Sequence, residues 1–330
     1  YAEVTGPLFP QTGLNRGFDI YNFRTDGSIY SKWGESLLKR FKDRDFFEPW
    51  FLLIHLFELH IPRTIPKQYN SKEFGENTYE RIVSAIDSYL GRLLEHINFK
   101  DTLIVFTGDH GEKMAETVIG EYRDKFSLTF LGFLRKLRKN RPLNQPIGHG
   151  FHVYEFLIKV PLIFVNEALF SKGLVIPDMV RLIDIFPTVI DALGIGPLNK
   201  EIHGRSLLPL VNGQHIPEVP AYCEAFGPMT KNKKQWIVGI RTSKYKFAYA
   251  PFNEKIPPEL YDLENDPLEK RNIFHKQPKI AAKLKQKIIE IQSQKPKKGT
   301  EEENEPLYTK YTKKEEEMIK ERLRKLGYID

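Results

Sequence analysis

Three consecutive segments in the first third of the chain alternate between the hydrophobic period of a strand and that of a helix. Residues 50–57 are short, apolar and rich in aromatic side chains, which is typical of a strand buried on both faces. From Thr78 to Ile97 the apolar residues recur at intervals of three and four, which predicts an amphipathic helix. Residues 102–107 predict a second buried strand. This order is typical of a parallel sheet with crossover helices, so we expect an α/β fold with a mostly parallel sheet flanked by helices.

The alternation of predicted strands and helices extends towards both ends of the chain. Residues 1–5 have the character of the middle of a strand, and no initiator methionine precedes them, so we expect that a leader or a piece of the domain has been removed. Residues 160–165 predict a third core strand, and residues 184–193 predict a helix with Pro187 in its first turn. These segments form one predicted α/β domain over residues 1–220.

After about Pro220 the sequence changes to short alternating segments separated by turn residues. Residues 235–240 and 244–249 predict two strands of a small antiparallel sheet. We therefore predict a C-terminal subdomain over residues 221–330, which also contains terminal helices. Its predicted helices are residues 278–292 and 313–326.

Composition limits the class of protein. The chain has 41% hydrophobic and 28% charged residues, which is typical of a globular protein, and no apolar stretch approaches the roughly 20 residues of a membrane-spanning helix. The single cysteine, Cys223, cannot form an internal disulfide, which favours a cytoplasmic location. A secreted or periplasmic location stays open because an N-terminal segment is expected to be missing.

The net charge of +7 first suggests a polyanion as partner. Lysine-rich stretches such as residues 295–298 lie beside acidic blocks such as residues 301–303, and such mixed charges favour a solvated surface over a specific nucleic-acid site. The sequence leaves a homo-oligomer open.

An aspartate and a histidine stand at the predicted carboxyl end of the second strand. Asp109 and His110 lie between Gly108 and Gly111, which allow a tight turn of the backbone. A carboxylate and an imidazole in this place can bind one divalent cation. Taken alone, the pair fits an ordinary surface turn better than a metal site, because Asp-His pairs are common in loops.

The residues around this pair favour a metal site over an ordinary surface turn. Residues 106–112 resemble the metal-ligand motif of the sulfatase family in the alkaline-phosphatase superfamily, and residues 54–62 resemble the strand of that family that ends in His-x-Pro. The resemblance runs from near residue 6 to the end of the chain. Further matches in the order of the family are residues 13–19, Asp87, Gly91, and residues 154–155, 159–163, 184–188, 204–209, 259–263, 266–267 and 326–328.

The resemblance implies an alkaline-phosphatase-like α/β fold, one divalent metal, usually calcium, and a formylglycine that attacks the sulfur of an anionic sulfate ester. Asp109 and His110 would supply part of the metal shell. His60 would approach the sulfate or protonate the leaving alkoxide, a general-acid role that suits an imidazole near neutral pH. His149 would be a second cation on the substrate side. Packing within a loop is the competing interpretation for His60 and His149.

Two departures from the family pattern accompany these matches. The nucleophile of the family lies in a Cys/Ser-x-Pro-x-Arg motif, which this sequence lacks, and the paired aspartates that complete the metal site are also absent. We therefore expect that an N-terminal part of the domain is missing, that the isolated chain has no sulfatase turnover, and that the absent strand leaves unpaired backbone and apolar surface. Residues 6–9 replace a Gly-Lys-Trp-His element of many sulfatases, so the sequence does not establish that the substrate is an aryl sulfate.

Several alternatives remain at this point. His110 stands where several animal sulfatases carry asparagine, so manganese or zinc are alternatives to calcium. Residues 130–139 predict a basic amphipathic helix that could be a lid, a membrane-surface element or an ordinary surface helix. Hydrolysis of sulfate esters is the preferred function. Hydrolysis of phosphodiesters or phosphonate monoesters, and a non-catalytic remnant that binds a polyanion, are the alternatives.

Overall fold

A computed structural model describes residues 1–24, 28–60, 63–112, 149–196, 202–226 and 233–294. These residues form two compact units. The first unit comprises residues 1–98, and the second comprises residues 99–112 together with the described residues from His149 onwards. The division that the sequence predicts between residues 220 and 221 is a different one, and it stays a prediction.

The first unit contains a three-stranded parallel sheet. Its strands are β1 (Ala2–Val4), β2 (Tyr21–Phe23) and β3 (Leu53–Ile54), and β1 lies between the other two. The prediction of strand structure in residues 1–5 is therefore confirmed. β3 is much shorter than the predicted strand over residues 50–57, and it is not buried on both faces, because the Leu53 side chain is exposed.

Two helices cover an aromatic-rich core in this unit. They are α1 (Lys32–Lys42) and α2 (Thr78–Leu94), and α2 confirms the predicted amphipathic helix. The side chain of Asn77 caps α2 by accepting a hydrogen bond from the backbone N–H of Glu80. The buried members of the core are Ile29, Leu37, Leu38, Phe41, Tyr89 and Leu93.

The second unit begins with two antiparallel strands, β4 (Ile104–Thr107) and β5 (Leu162–Val165). Both strands were predicted, β4 as a buried strand, and this expected burial is wrong for the described part of the chain. Phe106 and Ile163 stand directly opposite each other and are 42% and 50% exposed, because cross-strand partners project from the same face of a two-stranded ribbon.

The described residues of the second unit include three short α-helices. They are α3 (Glu155–Ile158), α4 (Ile185–Ala192) and α5 (Leu208–Val211). Pro187 is the third residue of α4, as predicted, and a proline is tolerated there because the first N–H groups of a helix have no intrahelical acceptor.

A four-stranded antiparallel sheet completes the second unit. Its order is β6-β7-β8-β9, with β6 at Ala221–Ala225, β7 at Ile237–Arg241, β8 at Tyr245–Tyr249 and β9 at Glu259–Asp262. The helix α6 (Pro278–Ser293) packs on β7 and β8. The predicted antiparallel sheet and the helix over residues 278–292 are thus confirmed. The core between sheet and helix consists of Val238, Ile240, Phe247, Leu260, Ala281, Leu284 and Ile288.

Two predicted helices lie outside the described residues, namely the basic helix over residues 130–139 and the terminal helix over residues 313–326. Within the described part of the chain, every helix is too short or too polar to cross a lipid bilayer.

Candidate functional site

The loop after β4 is held in place by backbone contacts on both sides. The Thr107 hydroxyl donates to the carbonyl oxygen of Pro161 (2.9 Å), and the Gly111 N–H donates to the carbonyl oxygen of Leu157 (2.7 Å). A Cβ atom at Gly111 would lie only 2.1 Å from the carbonyl oxygen of Phe156. The close approach of α3 therefore requires glycine at this position, which explains one of the two glycines beside the Asp-His pair.

Asp109 and His110 face each other within this loop. The Oδ1 atom of Asp109 accepts the backbone N–H of His110 (2.9 Å), and its Oδ2 atom lies 3.6 Å from Nε2 of the imidazole. The Nδ1 atom of His110 is 2.8 Å from the carbonyl oxygen of Gly111. Because a carbonyl only accepts, Nδ1 carries the proton in a neutral ring, and Nε2 keeps its lone pair on the side of Asp109.

This arrangement fits two positions of a metal shell. Two ligand atoms at the calcium distance of about 2.3 to 2.6 Å, at an angle between perpendicular and tetrahedral, are separated by roughly 3.3 to 4.2 Å. The observed 3.6 Å between Oδ2 and Nε2 falls in this range. The Asp109 side chain is 69% exposed, so its oxygens are open to a ligand. Within the described ranges, no group of three or more His, Cys, Asp or Glu side chains could hold a metal ion.

The structure brings His149 to the same loop. Its imidazole stacks on that of His110, with ring centroids 4.1 Å apart and an interplanar angle of 26°. The Nδ1 atom of His149 lies 3.8 Å from a carboxylate oxygen of Glu112. His149, which is distant in sequence from Asp109 and His110, is therefore their neighbour in space. Glu112 is a member of this cluster that the sequence did not single out. The roles of these residues stay predictions.

His60 belongs to the first unit. Its ring stacks on Phe57 at a centroid distance of 4.3 Å, and its backbone N–H donates to the Phe57 carbonyl oxygen. The Phe57 ring in turn packs against Gly6, where the φ angle of 67° and a contact of 2.8 Å to a hypothetical Cβ both require glycine. The role predicted for His60 is not decided by these contacts and stays a prediction.

A buried charge cluster in the second unit was not predicted from the sequence. The Lys246 side chain on β8 is 1% exposed and forms an ion pair with Glu269. Its Nζ atom is 3.8 Å from the carboxylate of Glu155, which also accepts two hydrogen bonds from Arg241 (3.3 and 3.4 Å). The second carboxylate oxygen of Glu269 accepts the backbone N–H of Glu155 (2.7 Å). The four residues Lys246, Glu269, Glu155 and Arg241 are called the charge cluster below.

The charge cluster attaches α3 to the C-terminal sheet. Glu155 is the first residue of α3, and the carbonyl oxygen of Leu157 in the same helix accepts the Gly111 N–H of the Asp-His loop. The one sequence signal for the cluster was the Tyr154-Glu155 match, whereas Lys246 resembled any solvent-facing lysine of an alternating strand.

Cys223 lies on β6, and its thiol faces the adjacent strand at Gly239 and the side chain of Val153. Burial raises the pKa of this thiol to about 12. Since the thiolate is the reactive form, iodoacetamide should modify Cys223 in the folded chain about a thousandfold more slowly than a free thiol at pH 8. The rate should increase about tenfold per pH unit up to pH 12. Mass spectrometry of timed samples measures it, and equal rates in native and urea-unfolded chain would contradict this environment.

Two profiles of known protein families match the chain. The sequence profile described as Sulfatase matches residues 11–195, which is more than half of the chain. The chain belongs to the sulfatase family. A second profile, N-sulphoglucosamine sulphohydrolase, C-terminal, matches residues 149–294 and so covers His149 and the four-stranded sheet. The sulfatase family predicted from the ordered motifs is confirmed.

Curated relatives of this sulfatase chain include arylsulfatase K of Homo sapiens and choline-sulfatase of Rhizobium meliloti (strain 1021). The first is 26% identical over 227 residues, which are 64% of this chain and 36% of that protein. The second is 28% identical over 205 residues, which are 60% of this chain and 33% of that protein. The chain therefore spans about a third of the length of these relatives.

Among solved structures, the sulfatase chain is similar to a phosphonate monoester hydrolase of Agrobacterium radiobacter. The TM-score is 0.59 at 18% sequence identity, and the match covers 79% of this chain and 59% of that chain. At this identity the likeness shows the fold alone. The prediction of an alkaline-phosphatase-like α/β fold with a C-terminal antiparallel sheet is confirmed.

Proposed function

We propose that this chain provides the metal loop and the substrate-side histidines of a sulfuric ester hydrolase. One observation carries the proposal: in a member of the sulfatase family, the Asp109 carboxylate and the Nε2 atom of His110 lie on a loop at the end of a strand, and the ring of His149 stacks on that of His110. The curated relatives are named as an arylsulfatase and a choline-sulfatase, which supports sulfate esters as the substrate class.

In this proposal Asp109 and His110 hold a divalent metal. The hydrogen bond from Nδ1 of His110 to the Gly111 carbonyl fixes the ring and its tautomer, which leaves Nε2 as the donor atom for the metal. When bound, such a cation supplies positive charge that offsets the negative charge of a sulfate ester. Calcium is preferred because a carboxylate is a hard oxygen ligand. The imidazole of His110 suits manganese or zinc better, so these two ions are the alternatives.

His149 is proposed to contact a sulfate oxygen, because a ring N–H donates to anionic oxygen and the ring lies against His110. His60 is proposed to protonate the departing alkoxide, a role that needs a proton at an imidazole nitrogen near neutral pH. The covalent step requires a nucleophile, which we propose to be a formylglycine in a Cys/Ser-x-Pro-x-Arg motif. The 330-residue sequence does not contain that motif. Its single cysteine, Cys223, packs against the buried cluster that includes Val153.

Substrate selectivity tests the proposal. The full-length polypeptide should hydrolyse an aryl sulfate with multiple turnovers when calcium, manganese or zinc is added, and it should hydrolyse an aryl phosphate diester or an aryl phosphonate much more slowly. Initial rates of aryl alcohol release at matched metal concentrations measure the preference. A faster reaction with the diester or the phosphonate would replace the sulfatase assignment by the phosphorus-ester alternative. Lack of turnover on all three would support the non-catalytic alternative.

A further inference from the structure

The backbone of Gly111 joins the Asp-His loop to α3. Its N–H donates to the carbonyl oxygen of Leu157 in α3 (2.7 Å). Its own carbonyl oxygen lies 2.8 Å from Nδ1 of His110 and accepts the proton of that ring nitrogen. The position of α3 therefore sets the position of Gly111, and Gly111 in turn sets the orientation and the tautomer of the His110 imidazole.

The loop is in close contact with the backbone of α3 and of the residues that follow this helix. A Cβ atom at Gly111 would lie 2.1 Å from the carbonyl oxygen of Phe156, so the two backbones touch at this point. At the base of the loop, the Thr107 hydroxyl bonds to the Pro161 carbonyl oxygen. Because closely packed groups transmit displacements, a movement of α3 must also move the loop.

The helix α3 is too short to hold its own position. It has four residues, which is about one helical turn, and a single turn has no independent stability. The Leu157 side chain is buried, but apolar burial is non-directional and does not fix the orientation of the helix. The orientation requires directional contacts, and Glu155 makes them at the first position of α3.

Glu155 contacts all three other members of the charge cluster. Its carboxylate accepts two hydrogen bonds from Arg241 on β7 (3.3 and 3.4 Å) and lies 3.8 Å from Nζ of Lys246 on β8. Its backbone N–H donates to Glu269 (2.7 Å). The Lys246 and Glu269 side chains are 1% and 4% exposed, so water and salt screen these contacts much less than those of a surface ion pair. Glu155 therefore attaches the first residue of α3 to a buried set of charges on the C-terminal sheet.

We propose that Glu155 is a positioning residue for the metal ligand His110. It holds α3 on the charge cluster, and α3 holds Gly111 and with it the imidazole whose Nε2 atom lies 3.6 Å from Asp109. This inference rests on the proposed function and deepens it, because it assigns a role in metal binding to a carboxylate that acts through Leu157 and Gly111.

Metal affinity is the property that should respond to a change at Glu155. A metal site needs its ligand atoms within about 0.5 Å of the productive geometry. If Gly111 moves, Nδ1 of His110 loses its acceptor, and the imidazole can take the tautomer that carries the proton on Nε2. In that tautomer Nε2 has no lone pair for a metal.

Metal titration of the full-length polypeptide tests the inference without requiring turnover. Isothermal titration calorimetry with the chlorides of calcium, manganese and zinc, on protein freed of metal by a chelator, measures the Kd. Glu155→Ala should raise the Kd about 10- to 100-fold, which is the usual cost of losing a group that orients a metal ligand. Glu155→Gln keeps an acceptor for Arg241 and should stay within about threefold of the unaltered protein. Arg241→Ala removes two of the contacts of Glu155, so it should raise the Kd in the same direction, and it serves as the test where Glu155→Ala does not fold.

Hydrogen exchange measures the position of the loop in the absence of metal. The Gly111 N–H donates to Leu157, and this bond should open more often when α3 is no longer held by Glu155. In metal-free Glu155→Ala, this N–H should exchange with deuterium about tenfold faster than in the unaltered protein. Mass spectrometry of peptic fragments that contain Gly111 measures the rate.

Glu224→Ala is the matched control, because Glu224 is a half-buried glutamate of the same sheet that bonds to Tyr222 and Trp236 and is not part of the charge cluster. It should leave the Kd and the exchange rate of Gly111 unchanged. Thermal unfolding establishes that each variant is folded at the temperature of the titration.

An unchanged Kd in Glu155→Ala would overturn the inference, as would an equal increase in Glu155→Ala and Glu224→Ala or an unchanged exchange rate of Gly111. Absence of metal binding by the unaltered protein would instead overturn the proposed function. In that case the exchange rate of Gly111 still decides whether Glu155 holds the loop.

Discussion

Replacing Asp109 by alanine in the full-length polypeptide is expected to reduce kcat for an aryl sulfate by more than about hundredfold. The reason is that the substitution removes a charged ligand whose oxygen lies 3.6 Å from Nε2 of His110, and even indirect perturbation of metal ligands costs 10- to 100-fold in affinity or activity. The fold should persist, because the carboxylate is largely exposed and its hydrogen bond to the backbone is to the adjacent N–H of His110. Asp109→Asn keeps the shape and loses the charge, so it should retain part of the metal affinity.

The measurement combines initial rates with the metal content of the purified protein after dialysis. Asp178→Ala is the matched control, since it removes an exposed aspartate of the same unit that the proposal does not use, and it should keep both activity and metal. Thermal unfolding of the three variants distinguishes loss of a ligand from loss of the fold. Normal turnover and normal metal content in Asp109→Ala would show that the Asp-His loop is not the metal site.

The regular helices were predictable because their sequence periodicity is local. In α2 the buried residues Ile82, Ile86, Tyr89 and Leu93 follow the 3.6-residue period, and the same holds for the buried face of α6. The helix α1 was missed although Leu37, Leu38 and Phe41 have the same spacing. The direction in which β5 pairs with β4 was also not predictable, because an apolar strand has the same appearance in parallel and antiparallel sheets.

The candidate site was predictable only through its motif. The Asp109–His110 pair is an ordinary dipeptide until its neighbours match a family. No periodicity of the sequence predicts that the His149 ring lies beside Glu112 and His110. The charge cluster is even harder to predict from the sequence, because Glu155 is 86 positions before Arg241 and 114 before Glu269. Such contacts depend on the tertiary fold and are not encoded in a local window of sequence.

The charge cluster should be the most sensitive point for stability in the second unit. Burial lowers the pKa of Lys246 and raises the pKa of Glu269, because it destabilises the charged form of each side chain. The charged form of each residue is therefore stabilised by the opposite charge of the other. Lys246→Met fills a similar volume but leaves the carboxylate of Glu269 without its cation. Glu269→Met removes the nearer carboxylate from the Lys246 ammonium group and leaves it the Glu155 carboxylate at 3.8 Å. Each single substitution is expected to lower the free energy of unfolding by about 3 to 5 kcal/mol.

The double variant Lys246→Met/Glu269→Met decides whether this cost comes from the uncompensated charge. It removes both ions, and replacement of a buried ion pair by apolar side chains is often neutral or even stabilising, so its loss should be well below the sum of the two single losses. Urea-induced unfolding measures all three. Lys244→Met is the matched control, because Lys244 lies on the same hairpin and forms an exposed ion pair with Glu264, and surface pairs contribute little. Equal stability of Lys246→Met and Lys244→Met would refute the charge cluster. A Lys246→Met variant that is destabilised while the double variant recovers would establish that Lys246 compensates the charge of the carboxylate beside it, at the point where α3 is attached to the C-terminal sheet.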